Sequence, residues 1–252
     1  MSVPIKLRSI PLWGTRWSKD ALVAKRGENE RAYDRGFRMM AFSDEEATFP
    51  GWKGCYAHGV SIGDIQRNGW LKYTGVDPSG STRPGNAIVT VAVEPGSRRR
   101  YPCDVRVGAW RSDELAEQIQ DVNNLLNPQV IMVENNAYQS ALIDWAQASK
   151  HNNDFWMKLE ATTTGSNKNN QVLGLPGMQV EFSNGSWVVP HGEFEGHAVN
   201  CPCAWCRFDK EFRFHPLFAS TDLVMATWFA RQGIEMFSGI ADHQRVGNLN
   251  SR

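Results

Sequence analysis

The sequence predicts an α/β domain in which helices cover a mixed β-sheet, with an arm in front and a cysteine-rich insertion late in the chain. Three observations predict it. Ala87-Ile88-Val89-Thr90-Val91-Ala92-Val93 is an unbroken β-favouring run, the mark of a central strand buried on both faces. Leu115, Ile119, Val122 and Leu126 then recur at helical spacing. Val130-Ile131-Met132-Val133 follows at once as a short apolar strand closing on Glu134, so helices and strands alternate after a run of strands.

Composition bounds the possibilities. The chain has 252 residues, enough for one sizeable core with an appended segment. A hydrophobic fraction of 41% and an aromatic fraction of 11% belong to a folded protein, and ten Trp must be buried or stacked. The net charge is zero, so no global field draws in a polyanion, and nucleic acid would have to meet local basic patches. No apolar stretch approaches the roughly 20 residues that cross a bilayer, and Met1-Ser2-Val3-Pro4-Ile5-Lys6-Leu7 lacks the apolar region of a signal peptide. The expectation is a protein of the cytoplasm with no membrane partner.

The elements follow in order. Residues 1–69 read as an N-terminal arm or connector with one helical stretch over 18–40. The core spans 70–240, with an insertion at about 190–216, and 241–252 form a tail. Residues 71–76 are a strand stopped by Asp77-Pro78-Ser79-Gly80; residues 103–110 alternate apolar and polar as a half-buried strand does. Ser112 reads as an N-cap, with Asp113 and Glu114 suited to the positive helix end. A second helix is expected over 137–149, a strand over 155–160, and a hairpin over 178–189 turning at Asn184-Gly185. A last helix starts near Thr221. Three strands, helix, strand, helix, strand and a final helix is the element order of a ribonuclease H-like core.

Three acids stand at element ends in this order. Asp77 closes the first core strand, Glu134 closes the fourth, and Asp222 opens the last helix. If the first and fourth strands lie side by side and parallel, Asp77 and Glu134 are neighbours, and a helix crossing the sheet can bring Asp222 to them. Clustered carboxylates repel one another unless cations neutralise them, and hard oxygen ligands suit Mg²⁺ or Mn²⁺. Two such ions roughly 3.5–4 Å apart can activate a water and stabilise a leaving oxygen in phosphodiester hydrolysis. Each acid also has a plain reading: Asp77-Pro78-Ser79-Gly80 is a good turn, Glu134 a solvated strand end, and Asp222 a favourable charge at a helix N-terminus. Their joint placement favours the metal site.

Tyr73-Thr74-Gly75-Val76-Asp77-Pro78-Ser79-Gly80, Ile131-Met132-Val133-Glu134-Asn135-Asn136 and Ser220-Thr221-Asp222-Leu223-Val224-Met225-Ala226 resemble the three acidic motifs of the nuclease domain of phage large terminases, the motors that package and cut viral DNA. Thr163-Thr164-Gly165-Ser166-Asn167-Lys168 resembles that family's Gly-x-x-Lys segment. Residues 178–190 resemble the hairpin before its third motif. Leu12-Trp13-Gly14-Thr15-Arg16-Trp17-Ser18 and Arg35-Gly36-Phe37-Arg38 resemble its connector. The resemblance implies metal-dependent cleavage of concatemeric double-stranded DNA, with Asp77, Glu134 and Asp222 as catalytic metal ligands and Lys168 as a phosphate contact. It implies an ATPase domain, a portal and a small terminase subunit as partners, in a host cytoplasm. No phosphate-loop motif occurs, so the ATPase is expected to be separate or missing. The stretch Ser81-Thr82-Arg83-Pro84-Gly85-Asn86 also lacks the further acid that some relatives place there.

Two other groups carry chemistry. His197, Cys201, Cys203 and Cys206 form His-x3-Cys-x-Cys-x2-Cys, donors enough for one structural Zn²⁺, with His191 and His215 as alternative fourth ligands. Three reduced thiols in a surface insertion is the competing reading. Arg83, Arg98, Arg99 and Arg100 join Lys168 as candidate DNA contacts, against a solvated hairpin tip for the arginine triplet. A junction resolvase or transposase-type nuclease, or a packaging module with an idle carboxylate site, are the alternatives to the terminase reading.

Overall fold

The computed structural model describes residues 18–28, 33, 47–78, 85–134, 158–162, 174–198 and 201–249. Its centre is a five-stranded sheet built from β2 (Leu71–Asp77), β3 (Asn86–Val93), β4 (Arg100–Gly108), β5 (Val130–Glu134) and β6 (Leu159–Thr162), in the order β4-β3-β2-β5-β6. β3 runs antiparallel to β2 and β4, while β2, β5 and β6 are parallel to one another. This is the ribonuclease H-like mixed sheet that the element order predicts.

Strand alternation divides the core into two layers, because successive side chains point to opposite faces. Val76, Ile88, Ala92, Ile131 and Val133 meet the helix α3 (Ser112–Leu126) through Leu115, Ile119, Val122 and Leu126. Tyr73, Val89, Val91, Val130 and Met132 face the other way, toward the long helix α6 (Asp222–Leu249) and its Val224, Trp228 and Phe229. Thr74 and Thr90, buried within the sheet, satisfy each other with a 2.9 Å hydroxyl–hydroxyl hydrogen bond. The first turn of α3 carries Asp113 and Glu114 as expected, but its N-cap is Arg111, whose N–H donates to Glu114.

The second layer reaches back to residues expected in the arm. The arm's helix α1 is Lys19–Glu28. Phe49 and Trp52 join the same buried cluster as Phe182, Phe208 and Phe212. Trp52 stacks on Phe212 at 4.3 Å and donates its indole N–H to Asp209. Tyr56, in β1 (Tyr56–Ala57), also donates to Asp209. β1 pairs in parallel with the short β7 (Val189–Pro190), and α2 (Ile62–Arg67) sets Ile65 under the α3 layer. Phe208, Asp209 and Phe212 come from α5 (Ala204–Arg213), so the cysteine-rich insertion is packed into the body of the domain.

One expected element is of the other kind. Residues 178–183 belong to a helix, α4 (Leu175–Ser183), and not to the first arm of a hairpin. Leu175, Met178 and Phe182 are buried at helical spacing, Pro176 suits the first turn, and Gly185 takes a positive φ of 76° just past the end. Asn184-Gly185 therefore stops a helix, and its hairpin signature was met by the wrong partner element. The helical form aims Glu181 at Arg231, which holds it through two nitrogens at 2.7 and 2.9 Å, while Arg100 pairs with the same carboxylate. Burial pushes the Glu181 carboxyl up, but the two guanidiniums outweigh it and leave it below its ordinary value. Glu181→Ala is expected to cost about 3–5 kcal/mol, because two largely buried arginines lose their shared partner. Chemical denaturation monitored by tryptophan fluorescence measures it, and a loss under 1 kcal/mol would contradict this account. The expected helix over 137–149 and residues 155–157 lie outside the described residues. Among the described residues, no helix is long and apolar enough to cross a membrane.

Candidate active site

The period of two in a strand decides where the acids point. Asp77 shares parity with Tyr73 and Gly75, and Glu134 with Val130 and Met132, so both carboxylates leave the sheet on the α6 side. The parallel register pairs Val76 with Val133, which sets Asp77 beside Glu134 at the C-terminal ends of β2 and β5. Asp222 is the first residue of α6. Gly75 lets that helix come close: a Cβ there would lie 2.0 Å from the Ala226 carbonyl oxygen.

Electrostatics ties the three together. The Asp77 carboxyl is pushed up to about 8 from an ordinary 3.8, by burial first and then by the charges of Glu134 and Asp222, with a hydrogen bond to Glu134 and the charge of Glu211 adding to it. An acid held this way keeps its proton in the fold at pH values where the unfolded chain has lost it. The stability it contributes is thus complete below about pH 4 and drains as pH rises toward 8. We expect the melting temperature of chelator-treated protein to fall between about pH 5 and 8, and Mg²⁺ or Mn²⁺ to restore it; calorimetry across that range is the measurement.

Asp222 is held from behind. Arg207 of α5 donates to its Oδ2 at 3.0 Å, to Ser220 at 2.8 Å and to Glu211 at 2.9 Å. Glu211 is fully buried, and its other oxygen accepts the Leu223 N–H at 2.7 Å, which caps the first turn of α6. Burial raises the Glu211 carboxyl, against Arg207, the Leu223 amide and Ser220, which lower it. Gly85 lies so near the same oxygen that a Cβ there would meet Asp222 Oδ2 at 2.1 Å. Sequence reading missed Arg207 and Glu211. Their i, i+4 spacing on an amphipathic helix was visible, but nothing in the sequence marks a fully buried glutamate.

The remaining candidates fall in three groups. Lys168 and Arg83 lie outside the described residues. The arginine triplet sits at the wrong end of the sheet: Asp77 pairs with Ala87 at the start of β3, whereas Arg98 and Arg99 follow the end of β3, where Val93 pairs with Leu71. Six strand steps, about 20 Å, separate the two ends. Arg100 is taken up by Glu181 and Glu235, the latter at 2.6 Å, and lies over the Trp187 ring. Arg100 is a structural anchor, while Arg98 and Arg99 are exposed in the turn, at a distance from the acids that a bound duplex would have to span. His197, Cys201, Cys203 and Cys206 do converge. Of the alternative fourth ligands, His215 bonds Thr48 at 2.8 Å and His191 lies near His58 and Glu195, so neither joins the thiols.

No protein-family model matches this chain, and no curated protein does. Solved structures do align with it. The large terminase nuclease from thermophilic phage G20c aligns at 13% identity over 66% of this chain and 83% of that one, with a TM-score of 0.44. The human cytomegalovirus terminase nuclease domain, soaked with Mn, aligns at 14% over 75% and 93%, with a TM-score of 0.43. Thermus thermophilus RuvC aligns at 16% over 64% and 90%, with a TM-score of 0.34. At these identities the likeness is one of chain path, and the chemistry rests on this chain's own residues.

Proposed function

We propose that the chain is a metal-dependent endonuclease that cuts double-stranded DNA, serving as the cutting part of a viral DNA-packaging terminase. One observation carries the reading: carboxylates from β2, β5 and α6, far apart in sequence, gather at one end of the sheet, where burial first and the charges of Glu134 and Asp222 next keep a proton on Asp77 to about pH 8. These half-buried, mutually repelling carboxylates offer hard oxygen donors, which fits Mg²⁺ or Mn²⁺.

Asp77, Glu134 and Asp222 would hold the ions. When bound, a pair of such ions supplies a nucleophilic water and stabilises the leaving oxygen of a phosphodiester. The chain's own contribution is placement. The β2–β5 ladder fixes the first two carboxylates, and Arg207 and Glu211 fix the third by engaging Asp222 and the amide behind it. Among the described residues no element resembles a base-reading helix, so sequence preference should be low. Lys168 and Arg83 are proposed to meet phosphates. The ATPase, the portal and the small terminase subunit are the proposed partners, and the host cytoplasm the proposed setting.

Supercoiled plasmid incubated with Mg²⁺ or Mn²⁺ tests the reading. We expect relaxed and linear products that disappear in EDTA and in Glu134→Ala. Cleavage persisting in Glu134→Ala at the unmodified rate would move the chemistry elsewhere. A strong preference for four-way junctions over linear duplex would favour a resolvase.

A further inference from the structure

The late insertion brings together four soft ligands that the carboxylate chemistry does not use. His197 Nδ1 lies 3.6 Å from Cys201 Sγ, 3.5 Å from Cys203 Sγ and 3.4 Å from Cys206 Sγ. All four donor atoms are within 4.8 Å of one another, and all three cysteines are free thiols. A tetrahedral zinc ion with bonds of about 2.3 Å to sulfur and about 2.0–2.1 Å to nitrogen requires N···S edges of about 3.6 Å, the spacing found here.

The surroundings are shaped for thiolates. Cys203 is the N-cap of α5, and its sulfur accepts the Cys206 N–H at 3.4 Å. Gly196 takes a positive φ of 75° just before His197, and the Cys201 N–H donates to the Ala198 carbonyl at 2.9 Å. Lys210 reaches the Cys201 carbonyl at 3.5 Å, placing a cation beside the net negative charge of three thiolates on one Zn²⁺. Four protein ligands leave no open coordination position, so such a site is structural and not hydrolytic.

We propose that His197, Cys201, Cys203 and Cys206 bind one zinc ion that locks the first turn of α5, and through it the N-terminal turn of α6. The mechanical link is short. Cys206 is followed directly by Arg207, which grips Asp222 and Ser220, and one helical turn on, Glu211 accepts the Leu223 amide. The zinc site stands whether or not the chain is a nuclease; only its value for positioning Asp222 rests on that reading.

The full chain, purified without added metal and passed over chelating resin, should carry one zinc per molecule by mass spectrometry. A mercurial thiol reagent should release it. Cobalt-grown protein should show thiolate-to-metal charge-transfer bands with tetrahedral d–d bands. Cys203→Ser should lose the ion and His191→Ala should keep it, which separates this cluster from His58, His191 and Glu195 nearby. Hydrogen exchange in Cys203→Ser should quicken in α5 and at Leu223 and stay unchanged in β2 and β3. Substoichiometric zinc in the unmodified chain, or cobalt spectra without thiolate bands, overturns the site, and these two measurements stand even if Cys203→Ser does not fold. Zinc lost from Cys203→Ser with unaltered exchange at Leu223 overturns the link to α6.

Discussion

Asp77→Asn should stop DNA cleavage and at the same time make the metal-free protein more stable. The two effects have one cause. Asp77 sits among Glu134, Asp222 and Glu211, and keeps its proton to about pH 8 because it is buried and because it faces those charges. Asparagine has the same shape, is neutral at every pH and can donate to Glu134 as the protonated acid does. In the unfolded chain aspartate ionises near its ordinary 3.8, so wild type loses folding free energy progressively as pH climbs from there, while the variant does not. The variant's advantage should open through the acid range and reach on the order of 2 kcal/mol or more by pH 8. Adding Mn²⁺ should reverse the ranking, because the ion stabilises only the chain that binds it. Cleavage should fall on the order of a thousandfold or more, the loss expected when a charge-stabilising ligand is removed. Parallel melting curves and plasmid assays measure both, and a variant that is less stable than wild type in EDTA at pH 8 would refute the carboxylate cluster.

The largest stability effect should come from a single methyl group at Gly75. A Cβ there would sit 2.0 Å from the Ala226 carbonyl oxygen, 2.4 Å from the Ala230 nitrogen and 2.9 Å from Phe229 Cβ. Two of these are main-chain atoms of α6, so no rotamer change relieves the clash, and helix and sheet must separate. Gly233 packs in the same contact from the helix side, against Val130 and Met132. Overpacking a flexible core costs about 1–3 kcal/mol, and a rigid helix-on-strand contact belongs above about 4 kcal/mol. Gly75→Ala should therefore lower the urea midpoint severely or leave the chain unfolded, whereas Gly69→Ala, with open space around it, should change little. Survival of Gly75→Ala at wild-type stability would mean that α6 does not lie on β2 in this way.

Much of this was legible in the sequence, for reasons that differ by element. The strands β2, β3 and β5 announce themselves because both faces are buried, which forces continuous apolar runs. Asp77 and Glu134 stand out because each breaks such a run at its end. Leu175 to Ser183 misled because its apolar residues satisfy a strand and a helix almost equally, and Asn184-Gly185 ends either one. The place of the arginine triplet was not legible for a different reason: local charge says nothing about which end of a sheet a turn occupies, and that is settled only by strand direction. The support of Asp222 was invisible, since Arg207 and Glu211 meet it across a gap of more than ten residues and a change of element. Trp52 and Phe49 were equally silent, because aromatic residues in an irregular segment carry no period to read.

The side-by-side pairing of β2 and β5 makes two of the three acids immovable relative to each other. They hang opposite each other from neighbouring strands of one main-chain ladder, whose spacing of about 4.8 Å is a property of peptide geometry and not of side-chain choice. The third acid belongs to a separate rigid rod, steered by a guanidinium and an amide clasp. Two jaws of this vice are cut from the sheet itself, and only the third, clasped at a helix end by Arg207 and Glu211, answers to changes in the insertion.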